Sequence, residues 1–138
     1  MRLLITGSRT ITDTQIVRKV LTLAQERWGE DLFVLHGDAR GVDATVNTLC
    51  EIMGIAHRRY VAPWAEMGRY AGLHRNLEMI NDGAERCVAV WNGTSSGTKH
   101  CVEEAHKAGL RVSIFRPDGS WYRYDPENLA GEQGTFDF

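Results

Sequence analysis

The sequence predicts an α/β fold in which a mostly parallel sheet of about five strands is layered between helices. Three observations carry this. Short apolar runs alternate with helical patterns along most of the chain, as in successive βαβ units. The first run, Arg2–Thr6, is apolar at successive positions, as a strand covered on both faces should be. The glycine-rich turns fall after a strand and before a helix, so all lie on one edge of the sheet.

The elements follow in order. After Arg2–Thr6, Ile16, Val17, Val20, Leu21 and Leu23 stripe a helix with Thr12 or Asp13 as its N-cap, and Gly29 ends it. Leu32–His36 is the second strand. Val42, Val46, Leu49, Cys50 and Met53 stripe the next helix, closed by Gly54. Ala56–Ala62 is a third strand, polar enough to lie near an edge, and Pro63 stops it. A helix over about Tyr70–Asn81 is expected to face the core with Leu73, Leu77 and Ile80. Arg86–Trp91 is the fourth strand, Thr98–Ala108 the next helix, and Arg111–Phe115 the fifth strand. The period breaks after Pro117. The reading is therefore a domain over 1–117 and an aromatic tail over 118–138 that packs on the domain or on a partner subunit.

Bulk properties narrow the function. With 138 residues, 43% hydrophobic, the chain can build one sizeable core. A net charge of −2 argues against a basic surface for duplex nucleic acid. No apolar stretch is long enough to span a bilayer and no charged-then-apolar leader follows Met1, so a cytoplasmic protein is expected. Cys50, Cys87 and Cys101 are widely spaced and odd in number, which fits neither a disulfide framework nor a zinc site. Cys50 and Cys87 read as buried thiols. Cys101 lies in the first turns of a helix, where a thiolate is favoured. No metal site and no cofactor are expected.

The chemistry concentrates in the turns. Trp91-Asn92-Gly93-Thr94-Ser95-Ser96-Gly97-Thr98 leads from a strand into a helix, and helix N-termini bind anions through free N–H groups and the dipole. Trp91, Gly93, Thr94, Ser95, Ser96, Gly97 and Thr98 are candidate phosphate-turn residues; the hydroxyls add donors and Gly97 admits close approach. Gly7, Ser8 and Arg9 form a second turn, with Arg9 placed to pair with phosphate. His36, Gly37, Asp38, Gly41 and Asp43 follow the second strand, with Asp38 a candidate for ribose hydroxyls. His36 also reads as a buried, hydrogen-bonded histidine, and Asp43 as a first-turn acid favoured by the helix dipole. Arg69, Arg75 and Asn76 belong to a further cluster that either forms a solvated helix face or turns towards the ligand. In an open parallel sheet, ligands bind beyond the carboxyl ends of the strands, where the strand order switches.

These segments, in this order, resemble the SLOG superfamily, which includes the SMF/DprA proteins and the LOG phosphoribohydrolases. The similarity is nearest to the small YspA/YpsA-related branch of bacteria and phages and spans about Met1–Pro117. It implies a Rossmann-like three-layer sandwich that binds a nucleotide or a nucleotide-derived ligand. LOG enzymes cleave the N-glycosidic bond of a nucleoside 5′-monophosphate, and carry Pro-Gly-Gly-x-Gly-Thr-x-x-Glu with an upstream arginine. Gly97-Thr98 matches the Gly-Thr pair and Arg75 the arginine, whereas Gly93, Thr94 and Ser95 replace Pro-Gly-Gly and Cys101 replaces the catalytic glutamate.

Cleavage at the anomeric carbon develops oxocarbenium character that a carboxylate stabilises. Glu104, one helical turn beyond Cys101, and Asp38 or Asp43 after the second strand are the substitute carboxylates, with Arg75 as a further catalytic candidate. Three functions follow: a nucleotide-ligand sensor or binding protein, favoured by the missing glutamate; an N-glycosidase on a nucleoside 5′-monophosphate or similar ribosyl phosphate; and, least favoured by charge, single-stranded DNA binding as in DprA. The resemblance also implies a homo-oligomer, with the aromatic tail as a candidate interface.

Overall fold

The computed structural model of the protein describes residues 1–127 and 135–138; positions 128–134 of the expected tail lie outside the described residues. Six strands form one sheet: β1 (Arg2–Gly7), β2 (Phe33–His36), β3 (Ala56–Arg59), β4 (Arg86–Val90), β5 (Arg111–Phe115) and β6 (Trp121–Arg123). Their order is β3-β2-β1-β4-β5-β6. The first five are parallel, and β6 runs antiparallel to β5. The fold is the Rossmann-like three-layer sandwich that the alternation of strand and helix patterns requires.

The layers follow from the pleat, which sends successive side chains to opposite faces. Leu3, Ile5, Val34, Val88 and Val90 meet α1 (Thr14–Trp28) and α2 (Val42–Met53) on one face. Leu4, Leu35, Cys87 and Ala89 meet α4 (Ala71–Asn81) and α5 (Ser96–Lys107) on the other. Asp13 caps α1, its side chain accepting from the backbone of Gln15 at 2.8 Å. All three cysteines are buried, and burial pushes the Cys50 thiol up to about 12. Cys101 sits in the core beneath α5, not at the exposed mouth of its turn.

The structure corrects four expectations. The third strand ends at Arg59 rather than Ala62, and a short helix, α3 (Trp64–Met67), follows Pro63. The sheet gains a sixth strand beyond Pro117. It was hidden because three residues are too few to show a period, and Trp121 and Phe138 complete the core on the α1 face. The described tail thus packs on the domain: the Phe138 ring lies 4.7 Å from Trp28 and its backbone oxygen accepts from Arg86. The fourth correction is α4. It buries Ala71, Arg75, Asn76 and Met79 and leaves Tyr70, Leu73 and Leu77 exposed. Of the expected core stripe, Ile80 packs partly against the core, whereas Leu73 and Leu77 face outward because the polar pair Arg75 and Asn76 has partners inside the domain.

The sheet order reverses between β1 and β4, so the loops after these strands diverge and open a crevice there. Among the described residues no helix is long and apolar enough to cross a membrane. Replacing Phe138 by Ala removes a buried ring from the α1 face and is expected to lower unfolding free energy by about 3 kcal/mol, measured by urea denaturation.

Candidate functional site

The crevice is built on a clasp across the switch point. Ser8, fully buried, donates its backbone N–H to the Val90 carbonyl at 3.0 Å and so carries the β1–β4 ladder one residue past the strands. Its hydroxyl donates to Asn92 Oδ1 and accepts from the Asn92 backbone, both at 3.2 Å. Asn92 Oδ1 in turn accepts from the Thr94 backbone at 3.0 Å and from its hydroxyl at 2.8 Å, which sets the start of the phosphate turn. Gly7, before Ser8, lies against Val42 and the Val90 carbonyl.

Two glycines bring the second turn to the first. Gly41 has φ +74°, and a Cβ there would stand 2.5 Å from the carbonyl oxygen of Ser8 and the carbonyl carbon of Arg9. The backbones of Gly41 and Arg9 are therefore in contact, and only glycine fits. At Gly37 a Cβ would stand 2.5 Å from Asp43 Oδ2 and 2.8 Å from Arg75 Cζ. The space above Gly37 is filled by a charge cluster.

That cluster is the electrostatic centre. Arg75 is 8% exposed, and its Nη1 donates to Asp38 Oδ1 at 2.6 Å. Asp38 also accepts weakly from the Ala62 backbone at 3.4 Å. Asp43, on the first turn of α2, accepts from the Ala39 backbone at 3.2 Å. Arg75 Nε and Asp43 Oδ1 are buried without a hydrogen-bond partner among the described residues. Burial pushes the Asp43 carboxyl up to about 6, against the pull of Arg75. Buried polar atoms without partners are uncommon and need a reason.

Above this cluster opens a cleft of about 700 Å³. Arg9 and Thr10 line it from the first turn, Arg40 from the second, and Trp64 from α3. Arg69, Arg75 and Asn76 line it from the α4 side, and Thr94, Ser95, Ser96 and Gly97 from the phosphate turn. Asp38 lines an adjoining recess with Arg9, Arg40, Trp64 and Arg75. The cleft therefore joins residues from three strand ends that are distant in sequence.

The phosphate turn is more divided than its sequence suggests. Ser95 caps α5, its hydroxyl accepting from the Thr98 hydroxyl at 3.1 Å and more distantly from the Thr98 backbone. Thr98 is buried. These two hydroxyls build the turn, while Ser96 and Gly97 present the first backbone N–H groups of α5, which have no partner within the helix. Asn76 holds the turn in place, donating to the Gly97 carbonyl at 3.2 Å and lying 3.2 Å from His100 Nδ1. Gly93 is exposed with φ +88° at the bend.

Three candidates stand away from the cleft. His36 is fully buried; its Nδ1 donates to the Gly37 carbonyl at 2.8 Å and its Nε2 accepts from His57 Nδ1 at 2.8 Å. His57 Nε2 reaches Glu51 at 2.6 Å. Burial, helped by the nearby His57 and Arg59 side chains, pushes His36 down to about 4 and keeps it neutral. Trp91 packs against the core on the α4–α5 face, its indole N–H buried without a partner among the described residues. Glu104 lies on the flank of α5 and pairs with Lys107 at 3.3 Å. Sequence reasoning missed Arg40, Trp64 and Asn92 as site residues. Arg40 and Asn92 lay inside turns already singled out, but Trp64 sits on a helix too short to show a period.

Two titrations bear on stability in opposite senses. Asp43 binds its proton more tightly in the folded chain, so its contribution is present below its ordinary 3.8 and lost as pH rises through about 6. His36 binds its proton less tightly, so its contribution is present above 6.5 and lost as pH falls through about 4. Each change totals on the order of 3 kcal/mol and the two are opposite in sign, so they nearly cancel between about pH 4 and 6. Asp43→Asn removes one slope. The variant is expected to gain a few kcal/mol in unfolding free energy from pH 4.5 to 6.5 where the parent changes little, measured by urea titrations at both pH values.

Comparisons with known proteins agree with this geometry. The family described as YAcAr, "YspA, cpYpsA-related SLOG family", matches residues 1–67, which contain the first two turns of the cleft. The "Gene 61 protein" of Mycobacterium phage D29 is 39% identical over 119 residues, covering 83% of this chain and 95% of that protein. The X-ray structure of DNA processing protein A (DprA) from Streptococcus pneumoniae shares the fold with a TM-score of 0.64 at 17% identity. That match covers 83% of this chain and 49% of DprA, so the chain spans about half the length of that protein. The family match across the first two turns, the phage relative aligned over nearly its whole length and the DprA-like fold lead to one assignment: the chain belongs to the SLOG superfamily.

Proposed function

We propose that the protein binds a nucleotide or nucleotide-derived ligand in the cleft above Arg75, as a sensor or binding protein. The observation that carries this is the buried Arg75 guanidinium, whose Nε has no partner among the described residues and which lines a cleft edged by Arg9, Arg40 and Arg69. A phosphate fits the start of α5, against the N–H groups of Ser96 and Gly97. A ribose fits beside Asp38, whose Oδ2 has no hydrogen bond among the described residues. Trp64 is 47% exposed at the same end of the cleft and offers a face for a base. Family membership supports nucleotide-related binding; the position of each group is our reading.

One observation favours a second reading, hydrolysis of an N-glycosidic bond. Asp38 brings a carboxylate to the cleft, held by Arg75, whereas Glu104 is turned away and ion-paired. In that reading Asp38 stabilises positive charge at the anomeric carbon as its bond to the base nitrogen breaks, the water oxygen bonds to that carbon, and a proton from the water goes to the departing base.

Thermal shift with a panel of nucleoside monophosphates, read beside chromatography for free base, tests both. Stabilisation without base release is the expected outcome. Base release that disappears in Asp38→Asn would establish the enzyme instead, and no stabilisation by any nucleotide would defeat both. Arg75→Met, close in volume, is expected to weaken binding by about a hundredfold or more, because it removes charge-assisted hydrogen bonds and leaves Asp38 unpaired.

A further inference from the structure

The cleft carries more positive charge than one phosphate accounts for. Arg75 is paired with Asp38. Arg9, Arg40 and Arg69 are not: among the described residues none of the three has an acidic partner. Arg69 donates to the Tyr70 hydroxyl at 2.9 Å, and Arg9 has the Trp64 ring 5.9 Å away. The chain as a whole has a net charge of −2, so this is a local excess rather than a basic surface.

Arg9 and Arg40 are the telling pair. Gly41 presses its backbone onto that of Arg9, so the two arginines rise from touching segments and line the same recess. Like charges lining one recess repel each other, the carboxylate there, Asp38, is already paired with Arg75, and the fold maintains the arrangement with a glycine at φ +74°. An anion between them would remove that cost. The α5 N-terminus is a second, separate anion position, with partial charge of about +0.5. A phosphate monoester carries about −1.5 to −2 at neutral pH. One such group seated at the helix end leaves the charge of the arginine pair unmatched.

We infer that the ligand bears two phosphoryl groups, one at the N–H groups of Ser96 and Gly97 and one between Arg9 and Arg40, with the sugar near Asp38. This rests on the nucleotide reading and narrows its ligand class from any nucleotide or nucleotide-derived ligand to a nucleoside diphosphate or bisphosphate.

Calorimetric titration with AMP, ADP, adenosine 3′,5′-bisphosphate and an oligothymidylate tests it. ADP places the second phosphate next to the first; the bisphosphate places it across the ribose. At least one of them is expected to bind about tenfold tighter than AMP, the increment of a charge-assisted contact. Arg9 and Arg40 are exposed, so Arg9→Ala/Arg40→Ala should fold, and circular dichroism checks this. In that variant the ratio of AMP to two-phosphate dissociation constants is expected to fall from about ten towards one. Equal affinity for AMP and both two-phosphate ligands overturns the inference and leaves the nucleotide reading standing. So does a ratio that survives in the double variant. Tighter binding of the oligothymidylate than of either ligand overturns it in favour of single-stranded DNA. No binding of any compound defeats the nucleotide reading and the inference with it.

Discussion

A guanidinium buried at 8% exposure costs several kcal/mol unless charge and hydrogen bonds around it replace water, and Arg75 is in that position. Its replacement shell comes from the second turn: Asp38 at 2.6 Å, with Asp43 and Gly37 close by. Much of the site follows from this pairing. It fixes the face that α4 presents to the domain and leaves Leu73 and Leu77 of that helix outside. With Asn76 on the same face, α4 also reaches the α5 turn. One ion pair thus links the end of β2, the helix α4 and, through Asn76, the start of α5.

The second constraint is the switch point. β1 and β4 are neighbours in the sheet, yet their following helices lie on opposite faces. The chain therefore parts after Gly7 and Val90, and something must hold the parted loops. Ser8 and Asn92 do this through four hydrogen bonds, counting those from Ser8 to Val90 and from Asn92 to Thr10. Ser8 thus supports the site from below instead of facing its occupant. The hydroxyls of Ser95 and Thr98 are likewise spent on capping. What remains for a ligand is mostly backbone N–H and guanidinium, the donors best matched to phosphate oxygens.

The readable and unreadable parts divide along physical lines. Five strands and the main helices were legible because each buries an apolar stripe with a regular period. The three turns were legible because a glycine between strand and helix is a local requirement. The burial of α4 was not. Leu73 and Leu77 obey the helical period, and only the tertiary partners of Arg75 and Asn76 outweigh it. β6 was not legible either, since its pairing with β5 is a long-range fact and its three residues carry no pattern. Trp64 escaped for the same reason on a four-residue helix.

By itself, the sequence determined the layered parallel fold, the edge on which the turns gather, and the glycines that let backbone approach backbone. These depend on period and local conformation, which are properties of short segments. Only the tertiary structure decided which polar residues face the cleft and which serve the scaffold. Arg40 and Arg75 reach the cleft, whereas His36, Trp91 and Glu104 do not, although all five sit in or beside segments that looked alike in sequence. The reason is that a charged or hydrogen-bonding side chain is placed by its partner, and those partners lie dozens of residues away: Asp38 for Arg75, Ser8 for Asn92, His57 for His36.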